Sequence, residues 1–354
     1  MLQYSFIDLY PYIFMLFFFL MLLRFDINTK KKTDIIFYTL LFFNVLRYDV
    51  GWDYTTYISE INMGINELIN SRYEPLSKLI FLASAVLDFY PLTFIIFGCL
   101  QLYLLRKIVD ELAYDKPVAL IFYLLLPLFF LGFLSTIRQG VANNLVFASY
   151  LALRKDKITT FLLLIFVAIC FQKSAAFGLF YLFLYKKVLP NYVNWSLFIL
   201  SFFCSAIFKE YISTLNIQGL SYYIENEVVT KTSSLNYFYY AINVFILLNY
   251  NNFYKADKEN AIYIQMANFG IFLFNAFIFE PVTSCRVSQF YISFWILIFA
   301  TLPKINKLYS YRIINILPFA FVFLYYLYTY VNAYNIGILK KVSFIPYKFW
   351  LFNL

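Results

Sequence analysis

Apolar residues fall into long runs along the whole chain, separated by short polar connections. A helix needs about 20 apolar residues to cross the hydrocarbon core of a bilayer, and fewer where other helices screen its ends. The pattern therefore predicts an all-α polytopic membrane protein with about 11–13 transmembrane or half-membrane helices, forming one integral membrane domain over residues 1–354. The apolar runs are 9–23, 34–46, 75–88, 91–109, 117–134, 138–153, 158–171, 174–185, 191–208, 235–250, 261–279, 287–302 and 312–330.

Basic residues mark the side of the membrane on which each connection lies, because lysine and arginine are concentrated in cytoplasmic loops. The connection 24–33 carries Arg24 and three consecutive lysines, which predicts a cytoplasmic loop and an N-terminus outside. The connection 47–74 then lies outside, and it carries two arginines against five carboxylates. By the same alternation, the segment 209–234 is a second outside connection.

One stretch does not fit a simple alternation of sides. Between residues 75 and 116 the chain has two apolar runs, but an odd number of crossings is needed to bring Arg106, Lys107 and Lys116 inside. Either 75–88 or 91–109 is therefore expected to be a half-helix or re-entrant element, which membrane proteins tolerate where it lines a cavity.

The composition excludes several classes of chemistry. Apolar residues make up 63% of the chain and charged residues only 13%, and the mean hydropathy is +0.71, whereas about a quarter of the residues in soluble domains are charged. Histidine is absent, which excludes His-based triads, HExxH metal sites and haem anchors. The four cysteines lie far apart, without a CxxC motif, and are expected to be buried apolar residues. No metal and no cofactor are expected.

The net charge of +9 is spread over short loops and includes no solvated basic domain. Such a distribution is typical of membrane topology. We therefore expect membrane lipids as partners, and no nucleic acid.

Five polar breaks fall on the predicted outer side of the membrane. Each could simply mark a helix end, because interfacial arginine and lysine side chains snorkel to the surface, and Glu280 with Arg286 could form a plain ion pair. Cations that only mark helix ends should be concentrated on the cytoplasmic side, however, and these lie on the other. Together the breaks predict one binding site. Their members are Arg47, Asp49, Asp53, Tyr54, Tyr57, Arg72, Glu74, Arg138, Gln139, Asn143, Gln172, Lys173, Ser174, Glu280 and Arg286.

These residue types suit a substrate that carries both phosphate and sugar. Arginine binds phosphate through two parallel hydrogen bonds and keeps its charge, while carboxylates accept hydrogen bonds from sugar hydroxyls and serve as general bases. We therefore expect a polyprenyl-pyrophosphate-linked oligosaccharide as the ligand. Arg138 and Arg286 are expected to stabilise the leaving pyrophosphate, with help from Arg47 or Lys173.

The carboxylates and amides receive the remaining roles. Asp53 is the first candidate for the base that accepts the proton of the acceptor hydroxyl, and Glu74 is the second. Asp49 is expected to orient Arg47. The expected sugar-binding residues are Tyr54, Gln139, Asn143 and Gln172, and the other predicted substrate-binding residues are Tyr57, Arg72, Ser174 and Glu280.

Many of these residues belong to short motifs that follow one another in a fixed order. The motifs are Arg47-x-x-Val50-Gly51-x-Asp53-Tyr54-x-x-Tyr57, Glu74-Pro75-Leu76, Ile137-Arg138-Gln139-x-x-Ala142, Phe171-x-Lys173-Ser174-Ala175 and Pro346-Tyr347-Lys348-Phe349. In their order and spacing they resemble the EpsG-like family of bacterial polysaccharide polymerases, the Wzy type.

The resemblance implies a metal-independent glycosyltransferase of the polytopic C superfamily in the bacterial inner membrane. Such an enzyme transfers a growing glycan from its undecaprenyl-pyrophosphate carrier onto the next lipid-linked repeat unit, at the periplasmic face. The implied partners are the lipid-linked donor and acceptor, and a chain-length regulator is a further candidate. Family members commonly carry a histidine where this chain has Gln172, so a hydrogen-bonding role is the most that this position can have here.

Two other classes of function stay open at this point. A flippase or exporter of lipid-linked oligosaccharides would also bind pyrophosphate in a cationic cavity, but it should carry cations near the bilayer midplane and show repeat symmetry. A membrane acyltransferase for glycans is the third option, and its usual form relies on a catalytic histidine.

Overall fold

The computed structural model describes residues 4–215, 234–305, 311–335 and 344–352. Helices dominate it, which confirms the predicted all-α polytopic membrane fold. Within the described ranges, four helical segments are long and apolar enough to cross a membrane, judged by length and composition. They are Pro91–Leu112, Asn191–Glu210, Pro281–Ile305 and Ile316–Asn335.

Large apolar side chains are exposed on several helices. Phe183 is 77% exposed, Phe321 71% and Phe203 68%. In water such surfaces would be unfavourable, whereas lipid tails are as apolar as the side chains themselves. The exposed aromatic rings therefore agree with a multi-pass membrane protein.

The chain divides into two compact units. Unit 1 comprises Met1–Leu145, Val167–Lys173 and Asn306–Leu354, and unit 2 comprises Val146–Phe166 and Ser174–Ile305. The single membrane domain over 1–354 stays a prediction.

In chain order the elements are α1 (Tyr10–Arg24), α2 (Thr29–Val45), β1 (Arg47–Tyr48), α3 (Tyr54–Ile61), α4 (Ile65–Asn70), α5 (Pro75–Val86), α6 (Pro91–Leu112), α7 (Lys116–Leu125), α8 (Phe130–Ser135), α9 (Ile137–Arg154), α10 (Ile158–Ile169), a 3₁₀ helix (Lys173–Phe180), α11 (Tyr181–Leu184), α12 (Asn191–Leu215), α13 (Ser234–Leu248), α14 (Tyr250–Ala256), α15 (Asn260–Ala276), α16 (Pro281–Ile292), α17 (Phe294–Phe299), α18 (Leu302–Ile305), α19 (Tyr311–Asn335) and β2 (Lys348–Phe349).

In unit 1, α2 and α6 form an antiparallel pair. Arg106 near the end of α6 makes an ion pair of 2.8 Å with Asp34 in the first half of α2. Towards the other ends, a Cβ built on Gly98 would lie 2.8 Å from Oδ1 of Asn44. The two helices therefore contact each other along their length, in opposite directions.

Of the two runs of which one is expected to be a half-helix, the first forms the shorter helix, α5. It has 12 residues, about 18 Å at 1.5 Å per residue, whereas the hydrocarbon core is about 30 Å thick. By contrast, α6 has 22 residues and is long enough to cross. α5 runs antiparallel to α6, because the hydroxyls of Ser84 and Thr93 lie 2.7 Å apart and the Phe81 and Phe97 rings pack at 5.8 Å.

The apolar run 117–134 is divided into two helices. α7 ends at Leu125 and α8 begins at Phe130, and Pro127 lies between them. Proline lacks a backbone N–H and clashes with the preceding turn, so it interrupts the helix even though the run is apolar throughout.

Gly51 allows the loop between β1 and α3 to pack tightly against the end of α8. Its φ angle is +110°, and a Cβ there would meet the carbonyl oxygen of Leu134 and lie 2.9 Å from the carbonyl carbon. Next to it, the Trp52 N–H donates to Oγ of Ser135 at 3.0 Å. Only glycine fits both the backbone angle and the space at this position.

We expect Gly51→Ala to destabilise the protein by about 2 kcal/mol, since the substitution adds backbone strain and a clash with backbone atoms. The measurement is the thermal unfolding temperature of the purified protein in detergent. Gly64→Ala is the matched comparison. Gly64 also has a positive φ of +117°, but a Cβ there would meet only the end of the flexible Glu67 side chain. Equal losses from the two substitutions would contradict the tight packing of Gly51.

The strands β1 and β2 join two distant parts of unit 1. They pair antiparallel, with Arg47 opposite Phe349. The hydroxyl of Tyr347 also donates to the carbonyl oxygen of Phe43. The motif 346–349 therefore lies beside the motif that begins at Arg47.

In unit 2, α10 and the helical stretch that ends with α11 form a hairpin. The connection before α10 and the residue that follows the hairpin are joined by an ion pair of 3.3 Å between Asp156 and Lys186. The two ends of the hairpin therefore lie close together. The bend at 170–173, between its two limbs, belongs to unit 1.

Buried amides join three helices of unit 2. The Asn243 side chain donates to Asn268 at 3.0 Å, Asn268 donates to the carbonyl oxygen of Asn194 at 2.9 Å, and Asn275 donates to Ser201 at 2.7 Å. Hydrogen bonds of this kind hold helices together in lipid, where burial of apolar surface contributes little. They connect α12, α13 and α15.

The predicted outside segment 209–234 is described only at its ends. α12 extends to Leu215 and α13 begins at Ser234. Residues 216–233 lie outside the described part of the chain.

Candidate functional site

A largely buried ion pair joins Glu74 and Arg138 in unit 1. Pro75 occupies the first position of α5, where a proline starts a helix well, and Glu74 directly precedes it. Arg138 is the second residue of α9. Its Nη1 donates to Oε2 of Glu74, and its guanidinium lies over the Tyr73 ring, 4.5 Å from the centroid. Two helix starts thus hold a charged pair against an aromatic ring.

The bend at 170–173 is fastened to the same place. This bend contains Gln172 and Lys173, which the sequence predicts as substrate-binding residues. Three hydrogen bonds join the bend to the start of α5: Lys173 N–H to Glu74 Oε1 at 3.1 Å, Leu76 N–H to the Cys170 oxygen at 3.0 Å and Ser77 Oγ to the Phe171 oxygen at 3.0 Å.

The Glu74–Arg138 pair lies alongside the middle of α6, not at its end. Ser84 of α5 is level with Thr93 near the start of α6, and Glu74 precedes Ser84 by ten residues, about 15 Å along the helix. Since α6 is long enough to span a membrane, the pair lies beside the middle of a helix that can cross the bilayer. Charged groups at such a depth persist where protein or a water-filled cavity surrounds them.

Arg47 is a second buried guanidinium in unit 1, with 1% of its surface exposed. Its Nη1 donates to the carbonyl oxygen and Oδ1 of Asn44, at 2.6 and 2.7 Å, and its guanidinium lies 5.0 Å from the Phe94 ring centroid. Nε and Nη2 have no hydrogen-bond acceptor in the described part of the chain. Burial lowers the pKa of Arg47 to about 10, although nearby tyrosines raise it. The side chain therefore remains protonated at neutral pH.

A layer of aromatic rings lies between the two arginines. Tyr54 stacks on Phe94 with 4.4 Å between centroids, and Tyr57 packs on Phe81 at 5.6 Å. Phe81 also contacts Tyr73, whose ring lies under Arg138. The predicted tyrosines Tyr54 and Tyr57 are thus buried parts of this layer. Burial raises the pKa of the Tyr73 hydroxyl, and the nearby Glu60 adds to this effect.

Asp49 and Asp53, the two predicted carboxylates of the motif that begins at Arg47, lie in the loop between β1 and α3. Asp49 has a φ of +54°, a backbone region that aspartate tolerates better than most residues. Asp53 precedes α3 and is partly exposed, and its side chain does not cap the helix. Arg72 is exposed. Asp53 thus combines a fixed backbone position with access to solvent.

Buried amides surround the start of α9. Gln139 and Asn143 are 2% and 1% exposed, and the Asn143 side chain donates to Asn144 at 3.3 Å. Asn144 in turn donates to the carbonyl oxygen of Gln101 on α6 at 2.7 Å. The sequence patterns did not indicate Asn144 or Gln101 as site residues. Both are amide residues inside apolar runs, and this feature could have indicated them.

Unit 2 contains the three remaining predicted residues. Glu280 is 3% exposed and caps α16, since its carboxylate accepts hydrogen bonds from the N–H groups of Val282 and Thr283. This cap gives Glu280 a structural role at the helix start. Arg286 lies in the second turn of α16 and is partly exposed, as is Ser174.

Twelve of the fifteen predicted site residues thus belong to unit 1, from Arg47 to Lys173. Among the described residues, no group of three or more Cys, Asp or Glu side chains could hold a metal ion.

Comparison with protein families matches residues 33–349 to the EpsG family. The chain belongs to the EpsG family. EpsG is a family of Wzy-like polysaccharide polymerases, associated with glycosyl transfer. No curated protein and no solved structure matches the chain.

The EpsG match includes every predicted site residue, from Arg47 to Arg286, and the motif 346–349. The series of motifs that suggested this family therefore lies entirely inside the matched range. In this EpsG protein the five motifs form two contacting groups within unit 1. The strands β1 and β2 join the motifs that begin at Arg47 and Pro346, and the Glu74–Arg138–Lys173 cluster joins the other three.

Proposed function

We propose that this EpsG protein polymerises a bacterial glycan at the periplasmic face of the inner membrane. It transfers the growing chain from undecaprenyl pyrophosphate to the next lipid-linked repeat unit. Membership of a polysaccharide polymerase family and the apolar helices support this proposal. The donor and acceptor are then both lipid-linked oligosaccharides, and a chain-length regulator is a further proposed partner.

The observation that carries the proposal is the cluster of Glu74, Arg138 and Lys173. The N-termini of α5 and α9 meet there, and helix N-termini carry partial positive charge that favours anions. Arg138 adds a full charge that suits the oxygens of a phosphate. A pyrophosphate anchored among apolar helices can leave its polyprenyl chain in the lipid.

The proposed reaction is a direct transfer at the anomeric carbon of the donor. The acceptor hydroxyl oxygen attacks this carbon while the bond to the pyrophosphate oxygen breaks, and the electron pair leaves with the pyrophosphate. The hydroxyl proton passes to the Asp53 carboxylate. Arg138, with Arg47 or Lys173, stabilises the leaving group in place of a divalent cation.

The test is polymerisation by the purified protein in lipid nanodiscs, supplied only with a defined undecaprenyl-pyrophosphate-linked repeat unit. We expect a ladder of products that differ by one repeat, together with release of undecaprenyl pyrophosphate. Unchanged substrate, under conditions where the protein remains folded, would contradict the proposal. Linkage analysis of the ladder would identify the bond that is formed.

A flippase for lipid-linked oligosaccharides is the second candidate. The position of the Glu74–Arg138 pair alongside the middle of α6 favours it, because transporters bind substrate near the bilayer midplane. A cell that lacks this protein separates the two functions. Loss of a polymerase leaves single repeat units on the surface, whereas loss of a flippase leaves none.

A further inference from the structure

The carboxylate of Glu74 is held at both of its oxygens. Oε2 accepts from Nη1 of Arg138, and Oε1 accepts from the backbone N–H of Lys173 at 3.1 Å. The residue is 7% exposed. A base in glycosyl transfer has to meet an acceptor hydroxyl, but both oxygens of this carboxylate are already bound by groups of the protein.

The backbone on the C-terminal side of Glu74 is fixed as well. Pro75 restricts the chain at the first position of α5. The next two residues, Leu76 and Ser77, each donate a hydrogen bond to the bend at 170–173. The carboxylate therefore stays between Arg138 and Lys173 unless several bonds break together.

Arg138 presents its remaining donors in a defined direction. Glu74 holds Nη1 and the Tyr73 ring covers one face of the guanidinium. Nε is buried and has no hydrogen-bond acceptor in the described part of the chain. A guanidinium fixed along one edge can offer another edge to a phosphate without losing rotamer freedom at that moment.

We propose that Glu74 is a positioning residue, which holds Arg138 and the Lys173 bend in place to receive the pyrophosphate, and is not the base of the reaction. This assignment rests on the proposed polymerase function. It leaves Asp53 as the base, and it gives the Glu74-Pro75-Leu76 motif a defined task. In this arrangement Glu74 acts on the substrate only through Arg138 and Lys173.

The experiment is a double-mutant cycle in the nanodisc assay, with the initial rate of linkage formation as the measurement. Glu74→Gln alone is expected to lower kcat/KM about 30-fold. In an Arg138→Gln background the same change should lower it less than about 3-fold, since Glu74 then has no guanidinium to hold. If the loss in the double variant equalled the product of the losses in Glu74→Gln and Arg138→Gln, the assignment would be overturned.

The pH profile of kcat/KM provides a second readout, which separates a positioning residue from the base of the reaction. If Glu74 were the base, Glu74→Gln would remove the acid limb of the kcat/KM profile, and this outcome overturns the proposal. We expect the acid limb to remain in Glu74→Gln and in Glu74→Asp, at a lower rate. Glu74→Asp keeps the charge and serves if the amide variant fails to fold.

Glu67→Gln is the matched control, because Glu67 is an exposed glutamate on α4, and it should retain the wild-type rate. The failure of the proposed function looks different from the failure of this assignment. A wild-type protein that forms no linkage overturns the polymerase function. An active wild type whose double variant shows multiplied losses overturns only the role of Glu74.

Discussion

Arg138→Ala is expected to abolish long glycan chains while the protein still reaches the membrane. The guanidinium is the charged group at the point where the N-termini of α5 and α9 meet, and a lost transition-state donor typically costs about 10²–10³-fold in rate. Arg138→Lys should recover only part of the activity, since an ammonium cannot bind Glu74 and phosphate along two edges. The measurement is the chain-length ladder on a gel, from cells that lack the native copy, with membrane protein quantified in parallel.

Alanine at position 138 also leaves the buried Glu74 carboxylate without its cation, which is destabilising. The combined change Glu74→Gln and Arg138→Gln removes both charges together and leaves no unpaired buried charge, so it separates loss of chemistry from loss of folding. Arg24→Ala, an exposed arginine at the end of α1, is the control and should give a normal ladder. A normal ladder from Arg138→Ala would remove Arg138 from the mechanism.

Asp53→Asn should be the second most damaging change, with a loss of about 10²–10⁴-fold in kcat. The amide keeps the shape of the side chain but cannot accept the proton of the acceptor hydroxyl. Asp53 suits this role because Gly51 fixes its loop against α8 and its side chain is partly exposed. Rates of linkage formation with the purified protein are the measurement. Asp26→Asn, at an exposed loop residue, is the control, and an unaltered rate in Asp53→Asn would assign the base elsewhere.

Much of the architecture could be predicted from local patterns. Pro75 predicts the start of α5, and the structure begins the helix there. Periodic apolar runs mark the helices, although Pro127 divides one run that hydropathy alone treats as continuous. Local rules work here because each depends on a few neighbouring residues.

The partners within the site depend on contacts that no local pattern encodes. Glu74 and Arg138 are 64 residues apart, so their pairing follows from the packing of whole helices. The depth of the pair along α6 and the complete burial of Arg47 also arise from tertiary structure. Asn44 accepts a hydrogen bond from Arg47, and the carbonyl oxygen of Gln101 accepts one from Asn144. In the sequence both look like ordinary polar residues in apolar helices.

The pairing of β1 with β2 joins an early and a late segment of the chain, which affects the order of folding during synthesis. Tyr347 binds Phe43 across 304 positions of the chain, and Phe349 pairs with Arg47. During synthesis α1 and α2 therefore enter the membrane long before the segment that completes their surroundings has left the ribosome. Contacts this distant in sequence form late, because their loop-closure entropy is lost before the contact is gained. Until then Arg47 lacks its strand partner, so the nascent chain carries an incompletely packed cation through most of its insertion.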